Sequence, residues 1–388
     1  TKSDGNSSSF EKVFSYIGNN PKCNITGGKM NVTFLIGNGF DVNLGLKTKY
    51  TDFYDSYIES NSKLPDNNCV KKFCNLIESD YKTWGDFEAA FAKNVEGTPE
   101  QIRDILGDFT VKFAYYLRQQ LENCNYDDNT ISTKFKSFLT HSYDLLETKD
   151  KAIMQNKYKS HMNSNDNIKV NFIDFNYTDT IEQLIANYRR YNNDSTVLRR
   201  YGTSSNYAES FGEILHIHGT LDDLIIIGID SIQQITYEDL KCNTLVEKYC
   251  VKSKMNDEYG YSQVEARYVQ MINNSEIIYA YGISFGESDK SRWTIINEWL
   301  KKDTKNKLII FKYDTKFNTY DKVYRNLVLD AINDAKNEYL KILGFSEDEY
   351  ERYHEQIFVI DSADVLQFKV VPDTPNATES EVNVEVLV

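Results

Sequence analysis

No run of about 18 apolar residues occurs in the 388-residue chain, so no segment reads as a membrane-spanning helix. An excess of basic residues is also missing. Lys and Arg total 44 against 58 Asp and Glu, a formal charge of −14. A chain of that sign lacks the broad basic face that contact with nucleic-acid phosphates needs. Its one basic stretch, 188–201 (YRRYNNDSTVLRRY), reads as a solvated loop. The six cysteines, Cys23, Cys69, Cys74, Cys124, Cys242 and Cys250, form no Cys-x-x-Cys pair, which argues against a four-cysteine zinc ribbon. The opening residues TKSDGNSSSF are polar and carry no apolar signal core. The chain therefore reads as cytoplasmic, with reduced cysteines. Residues 1–29 read as a weakly structured leader ahead of Met30, and the sequons at Asn24 and Asn31 then carry little weight.

What is present is the composition of a globular protein, 40% hydrophobic and 26% charged, long enough for one large domain with insertions or for two domains. "VTFLIG" (32–37) reads as a buried strand closed by glycine. From 50 to 165 the apolar residues recur at three- and four-residue spacing, which predicts a helical block, with Pro99 placed to start a helix. "NIKVNFIDFNYTDTIEQLIANY" (167–188) returns to strand-then-helix, with Thr178 or Asp179 placed to cap the helix. Further strands are expected at 213–219, 224–230, 276–285, 307–314 and 356–361, and a helical stretch at 319–343. Strands alternating with helices predict a parallel sheet covered on both faces. The fold class expected is therefore α/β, an open parallel sheet over 30–49 and 166–366 with a helical insertion at 50–165. The end, 367–388, reads as an acidic, loosely held tail.

In such sheets ligands bind beyond the carboxyl ends of the strands, and every unusual short motif here falls at one of those ends. The turn Gly37-Asn38-Gly39-Phe40-Asp41 has two readings. It is either a tight strand–helix turn or a loop whose missing Cβ atoms and free N–H groups admit a phosphate. Asn176, in "DFNYTDTIE", is either a turn residue or an amide facing a ribose or a water. In "HIHG", His216 and His218 point to one side of a strand. His218, just before Gly219, is either a satisfied core histidine or a general base. Gly282 and Ser284 form a simple turn or face a ribose. Trp84 reads as core, while Asp52 and Phe53 read as the edge of a pocket.

Taken in order, these pieces resemble the NAD site of the sirtuin-like superfamily. The matching positions are Gly37 to Gly39, Asp52 with Phe53, Asn176, His218 with Gly219, and Gly282 with Ser284. Within it, "LIGNGFD…GLKTKYTDF", "WGDFE", "FNYT", "HIHG" and "GISFGESD" are most similar to the AbiH family of bacterial abortive-infection antiphage proteins, from residue 30 to about 361. The resemblance implies a Rossmann-like, sirtuin-like sheet and NAD as substrate, hydrolysed to nicotinamide and ADP-ribose without a metal. Asn176 and His218 would be the catalytic residues. Gly37, Asn38, Gly39, Phe40, Asp41, Asp52, Phe53, Gly219, Gly282 and Ser284 would bind the dinucleotide. It also implies a trigger, either self-assembly or a phage component. The departures are the missing zinc module, which counts against deacylation, the missing third glycine of a dinucleotide loop, and Thr178 where the family pattern has an acid. The rival reading is a non-catalytic sensor that binds NAD or ADP-ribose and signals through a partner.

Overall fold

The computed structural model describes residues 29–163, 167–201, 207–313, 325–363 and 365–371. The expected leader, apart from Lys29, lies outside them. Seven strands, β1 (Lys29–Ile36), β2 (Asn167–Asp174), β3 (Val197–Tyr201), β4 (Tyr207–His216), β5 (Ile277–Tyr281), β6 (Lys307–Lys312) and β7 (Ile357–Asp361), form one sheet in the order β3-β4-β2-β1-β5-β6-β7. All neighbours run parallel except the β3–β4 pair at one edge. Numbered among themselves, the six parallel strands follow the order 3-2-1-4-5-6.

The strands are apolar on both faces because helices cover both. Phe34, Ile36, Phe172, Tyr279, Tyr281 and Phe311 pack on one side against the helices Asn129–His141, Thr148–Asn163 and Thr180–Tyr191. Leu35, Ile173, Ile278, Ala280 and Ile310 pack on the other against Gln263–Asn274, Lys290–Lys302 and Arg325–Ile342. Alternation with a period of two sends neighbours to opposite sides. At full burial each such side chain contributes roughly 1.5–3 kcal/mol. β1 has β2 on one side and β5 on the other, so successive connections leave it in opposite directions. The crevice past the ends of β1 and β5 is where a sheet of this order binds its ligands.

The helical insertion divides in two. Helices Tyr50–Ser60, Cys69–Ser79, Phe87–Asn94 and Pro99–Leu121 build an aromatic core of their own, in which Trp84, Phe87 and Phe109 are buried. Thr98 caps the last of these helices by accepting from the Gln101 N–H, with Pro99 in its first turn, as expected. The next two helices, ending at His141 and Asn163, instead cover the sheet, with Phe135, Phe138 and Met154 in its core. Periodicity cannot tell the two groups apart, because both present an apolar stripe.

Three further expectations change. Residues 224–230 form no strand, only the isolated bridges Gly219↔Ile225 and Ile229↔Val251. Ile225, Ile227 and Ile229 are buried in the helical core, so an apolar run of strand length serves a loop. In the basic stretch, the helix ends at Tyr191 and Val197–Tyr201 is the antiparallel edge strand, where Arg199 pairs with the buried Glu209. At the far end Phe368 and Val370 are buried. Val370 accepts from Asn125 N at 2.7 Å and donates to Leu44 O at 3.0 Å, so 367–371 is packed rather than loose. The rest of the expected tail, 372–388, lies outside the described residues.

Candidate functional site

The turn after β1 and the turn after β5 touch backbone to backbone. Gly37 donates to Tyr281 O at 2.9 Å and Gly39 to Gly282 O at 3.1 Å. A Cβ on Gly37 would lie 2.5 Å from Gly282 O, one on Gly39 2.6 Å from Gly282 Cα, and one on Gly282 2.4 Å from Phe40 N. Gly282 also has φ +69°, in the left-handed region that favours glycine. The three glycines are therefore explained by this close approach. Of the N–H groups in the 37–41 turn expected to be open to a phosphate, those of Gly37, Gly39 and Phe40 are instead engaged, donating to Tyr281 O, Gly282 O and Gly37 O.

A cavity of about 430 Å³ opens beside this contact. Gly37, Asn38, Gly39, Asp41, Asn176, His218, Gly282 and Ser284 all line it, so residues far apart in the chain converge there. Tyr50, Phe113 and Leu117 of the helical block form the facing wall. Four expected residues are elsewhere. Phe40 is buried between Phe138 and Tyr281. Asp52 is exposed and accepts from Lys49 N at 3.0 Å, capping its helix, and Phe53 is buried among Tyr57, Phe109 and Phe113. Gly219, at φ +74°, serves a turn in which its Cβ would meet Leu224 O. Of the same segment it is Thr48 and Tyr50 that line the cavity. Thr48 bonds Asn38 twice, its hydroxyl donating to Oδ1 at 2.5 Å and its carbonyl accepting from Nδ2 at 3.2 Å.

The two histidines of "HIHG" have separate surroundings. His216 sits 2.7 Å from Glu182 Oε1 through Nε2 and 3.4 Å from Asn176 O through Nδ1. Burial works against its charge, but the bond to Glu182 and the nearby Asp174 carboxylate push its pKa up to about 9. At neutral pH it is an imidazolium that donates on both sides. Asn176 is thereby held on its backbone by His216 and by Asp174, which accepts from Asn176 N at 2.8 Å. Its side-chain Nδ2 reaches Gly37 O at 3.3 Å. Thr178 does not cap the following helix; its hydroxyl donates to Asp41 Oδ2 at 2.6 Å. Asp179 occupies the cap position, but its carboxylate bonds Gln183 Nε2 rather than a helix N–H.

His218 lies against Phe175 and Tyr177, with Nε2 3.3 Å from Asp289 Oδ1. Burial, together with the nearby Lys252, pulls its pKa down to about 4 despite Asp289. It is therefore neutral at pH 7. An Nε2–H donated to Asp289 leaves the lone pair on Nδ1, an atom that is buried and has no hydrogen-bond partner among the described residues.

Behind His218 stands a buried ionic cluster that the sequence reasoning missed. Lys252 Nζ reaches Glu88 Oε2 at 2.8 Å and Asp289 Oδ1 at 3.1 Å, while Arg292 bridges Asp289 and Glu265 at 2.5 Å each. Burial pushes Glu88 up to about 7 even though Lys252 attracts it. Asp289 goes the other way: burial opposes its charge, yet Lys252, His218 and Arg292 hold it well below the usual carboxylate range. Glu88 and Asp289 lay within the quoted strings "WGDFE" and "GESD", which gave them no role. Lys252 and Arg292 carry no local signal, because a cation in a mixed helix looks like any surface charge.

Residues 33–313 match the family model described as Bacteriophage abortive infection AbiH. The chain belongs to the AbiH family. Its role is accordingly in bacteriophage abortive infection. The region shared with AbiH proteins runs from β1 through β6 and holds every cavity residue named above, leaving β7 outside. That is shorter than the resemblance to residue 361 read from motifs. No curated protein matches the sequence.

Proposed function

We propose that this AbiH-family protein is an abortive-infection effector that hydrolyses NAD to nicotinamide and ADP-ribose, on a sheet of the Rossmann-like, sirtuin-like kind. The observation that carries the reading is the meeting of Asn176 and the neutral imidazole of His218 in one cavity at the point where the strand order reverses. The order 3-2-1-4-5-6 is that of dinucleotide-binding sheets, and about 430 Å³ lies within the range of small-molecule sites.

The chemistry asks little of an acid. As the bond from ribose C1′ to the pyridinium nitrogen breaks, its electron pair neutralises the ring and nicotinamide leaves uncharged. The oxygen of one water bonds to C1′, and His218 Nδ1 takes the water's proton. Asn176, fixed between His216, Asp174 and Gly37, orients the water or a ribose hydroxyl. The neutral His218 is a weak base, which suits attack on a carbon that is already strongly electrophilic. Ser284 and Asn38 contact the ribose side. Loss of NAD then halts the infected cell, and a trigger such as self-assembly or a phage component releases the activity.

Purified protein, at concentrations that allow self-assembly and with phage lysate as the source of a trigger, is expected to release nicotinamide from NAD. His218→Ala and Asn176→Ala are each expected to lower the rate by at least about 10²-fold while melting and circular dichroism stay near those of the parent. A folded His218→Ala protein that cleaves at the parental rate would remove His218 from the chemistry. Binding of NAD without turnover would favour the sensor reading.

A further inference from the structure

Resting on the NAD-cleaving reading, we propose that the cavity selects its ligand by positive charge: a pyridinium N-riboside is the complete substrate, and the diphosphate and adenosine of NAD lie outside the recognised part.

The charges around the cavity point this way. Among the described residues no Lys or Arg lines it, whereas Asp41, Asp86, Glu88 and Asp289 do. Two buried cations beside the lining residues Glu88 and Asp289 are already engaged, since Lys252 and Arg292 pair with three acids, Glu88, Asp289 and Glu265. With all five ionised that cluster keeps one negative charge, and a proton on Glu88, whose pKa burial pushes up to about 7, brings it to neutral. Asp41 and Asp86 add two further acids to the lining. Asp41 Oδ2 accepts from Thr178, while among the described residues Oδ1 is buried without a partner, as is Nδ1 of His218, and both residues line the cavity. Two unpartnered polar atoms in a built cavity mark a place where ligand atoms are expected.

A diphosphate fits this environment poorly. It would bring two negative charges beside four acidic side chains, and the N–H groups of Gly37, Gly39 and Phe40 are bonded within the protein. A pyridinium ring fits well. Phe175, Tyr177 and Trp293 line the cavity, with Phe175 and Trp293 stacked at 5.7 Å, and aromatic faces attract cations. The preference also serves the reaction, because the ribosyl transition state is itself cationic and gains from nearby carboxylates. The bond changes are those given above: C1′–N breaks, water oxygen bonds C1′, His218 takes the proton, and nicotinamide leaves neutral.

The test uses the full chain with NAD and with nicotinamide riboside, following nicotinamide release by chromatography. A calorimetric titration into His218→Ala protein compares the riboside cation with its uncharged dihydro form. The expected result is a riboside kcat within about tenfold of the NAD value, and binding of the cation at least about tenfold tighter than of the dihydro form. Turnover of NAD with riboside slower than that range, or equal binding of the cation and the dihydro form, would overturn the inference and leave the NAD reading standing. If neither is cleaved, the NAD reading fails, and the titration decides alone. A cation preference upholds the charge-selective site, and equal or absent binding overturns it.

Discussion

Two residues apart at the end of one strand, His216 and His218 are tuned in opposite directions by what they touch. Glu182 and Asp174 keep His216 charged up to about pH 9, while burial and Lys252 keep His218 neutral down to about pH 4. The signs of the resulting stability effects follow. The contribution of His216 is full below the ordinary histidine pKa and is lost as pH rises from there through about 9. Over that window it amounts to roughly 3 kcal/mol at most. Melts of the parent and His216→Gln should therefore differ most near pH 6 and converge toward pH 9; a gap independent of pH would contradict the imidazolium. His218 runs the other way, stabilising above its ordinary pKa and less as pH falls toward about 4. The part of NAD cleavage that depends on His218 should accordingly be flat from pH 6 to 8. A limb near 6 or 7 that disappears in Asp41→Asn or Glu88→Gln would belong to those raised carboxyls instead.

At the scale of elements, what positions the site is the contact between the turns after β1 and β5, and the ionic cluster that ties the helical block to the sheet. Gly282→Ala would place a Cβ 2.4 Å from Phe40 N at a positive φ. The conformational cost alone is about 1–2 kcal/mol, and the backbone clash adds to it, so a denaturation midpoint unchanged from the parent would contradict the contact. Lys252→Met would leave Glu88 and Asp289 facing each other in a buried site, at about 3–5 kcal/mol. Glu88→Gln should cost less, because Glu88 binds a proton readily. The central strands were legible in the sequence because parallel strands covered on both faces are continuous apolar runs. The same rule failed at 224–230, where an equally apolar run is buried by helices in a loop. It also missed β3, whose Arg199 and Arg200 disguise an edge strand paired on one side only.

At the scale of the whole molecule, the helical block is part of the site. Tyr50 and Phe113 line the cavity together with Tyr177 and His218, and Tyr50 and Tyr177 approach hydroxyl to hydroxyl at 3.3 Å. A trigger that shifts this block would change the cavity directly. Residues that punctuate the ends of strands, Gly37, Asn176, His218 and Gly282, were legible as a candidate site because each breaks an apolar run. The wall contributed by the helices, and the cations behind His218, were not. Their role depends on packing between segments that no local pattern relates, and for the same reason Thr48 and Tyr50, rather than Asp52 and Phe53, line the cavity. The central claim is that the joined site cleaves NAD, and nicotinamide release by the purified full chain tests it most directly. Release from the parent protein is expected to fall by at least about 10²-fold in a folded His218→Ala variant. No release from protein shown to bind NAD, under conditions where it arrests cells on phage infection, would contradict it.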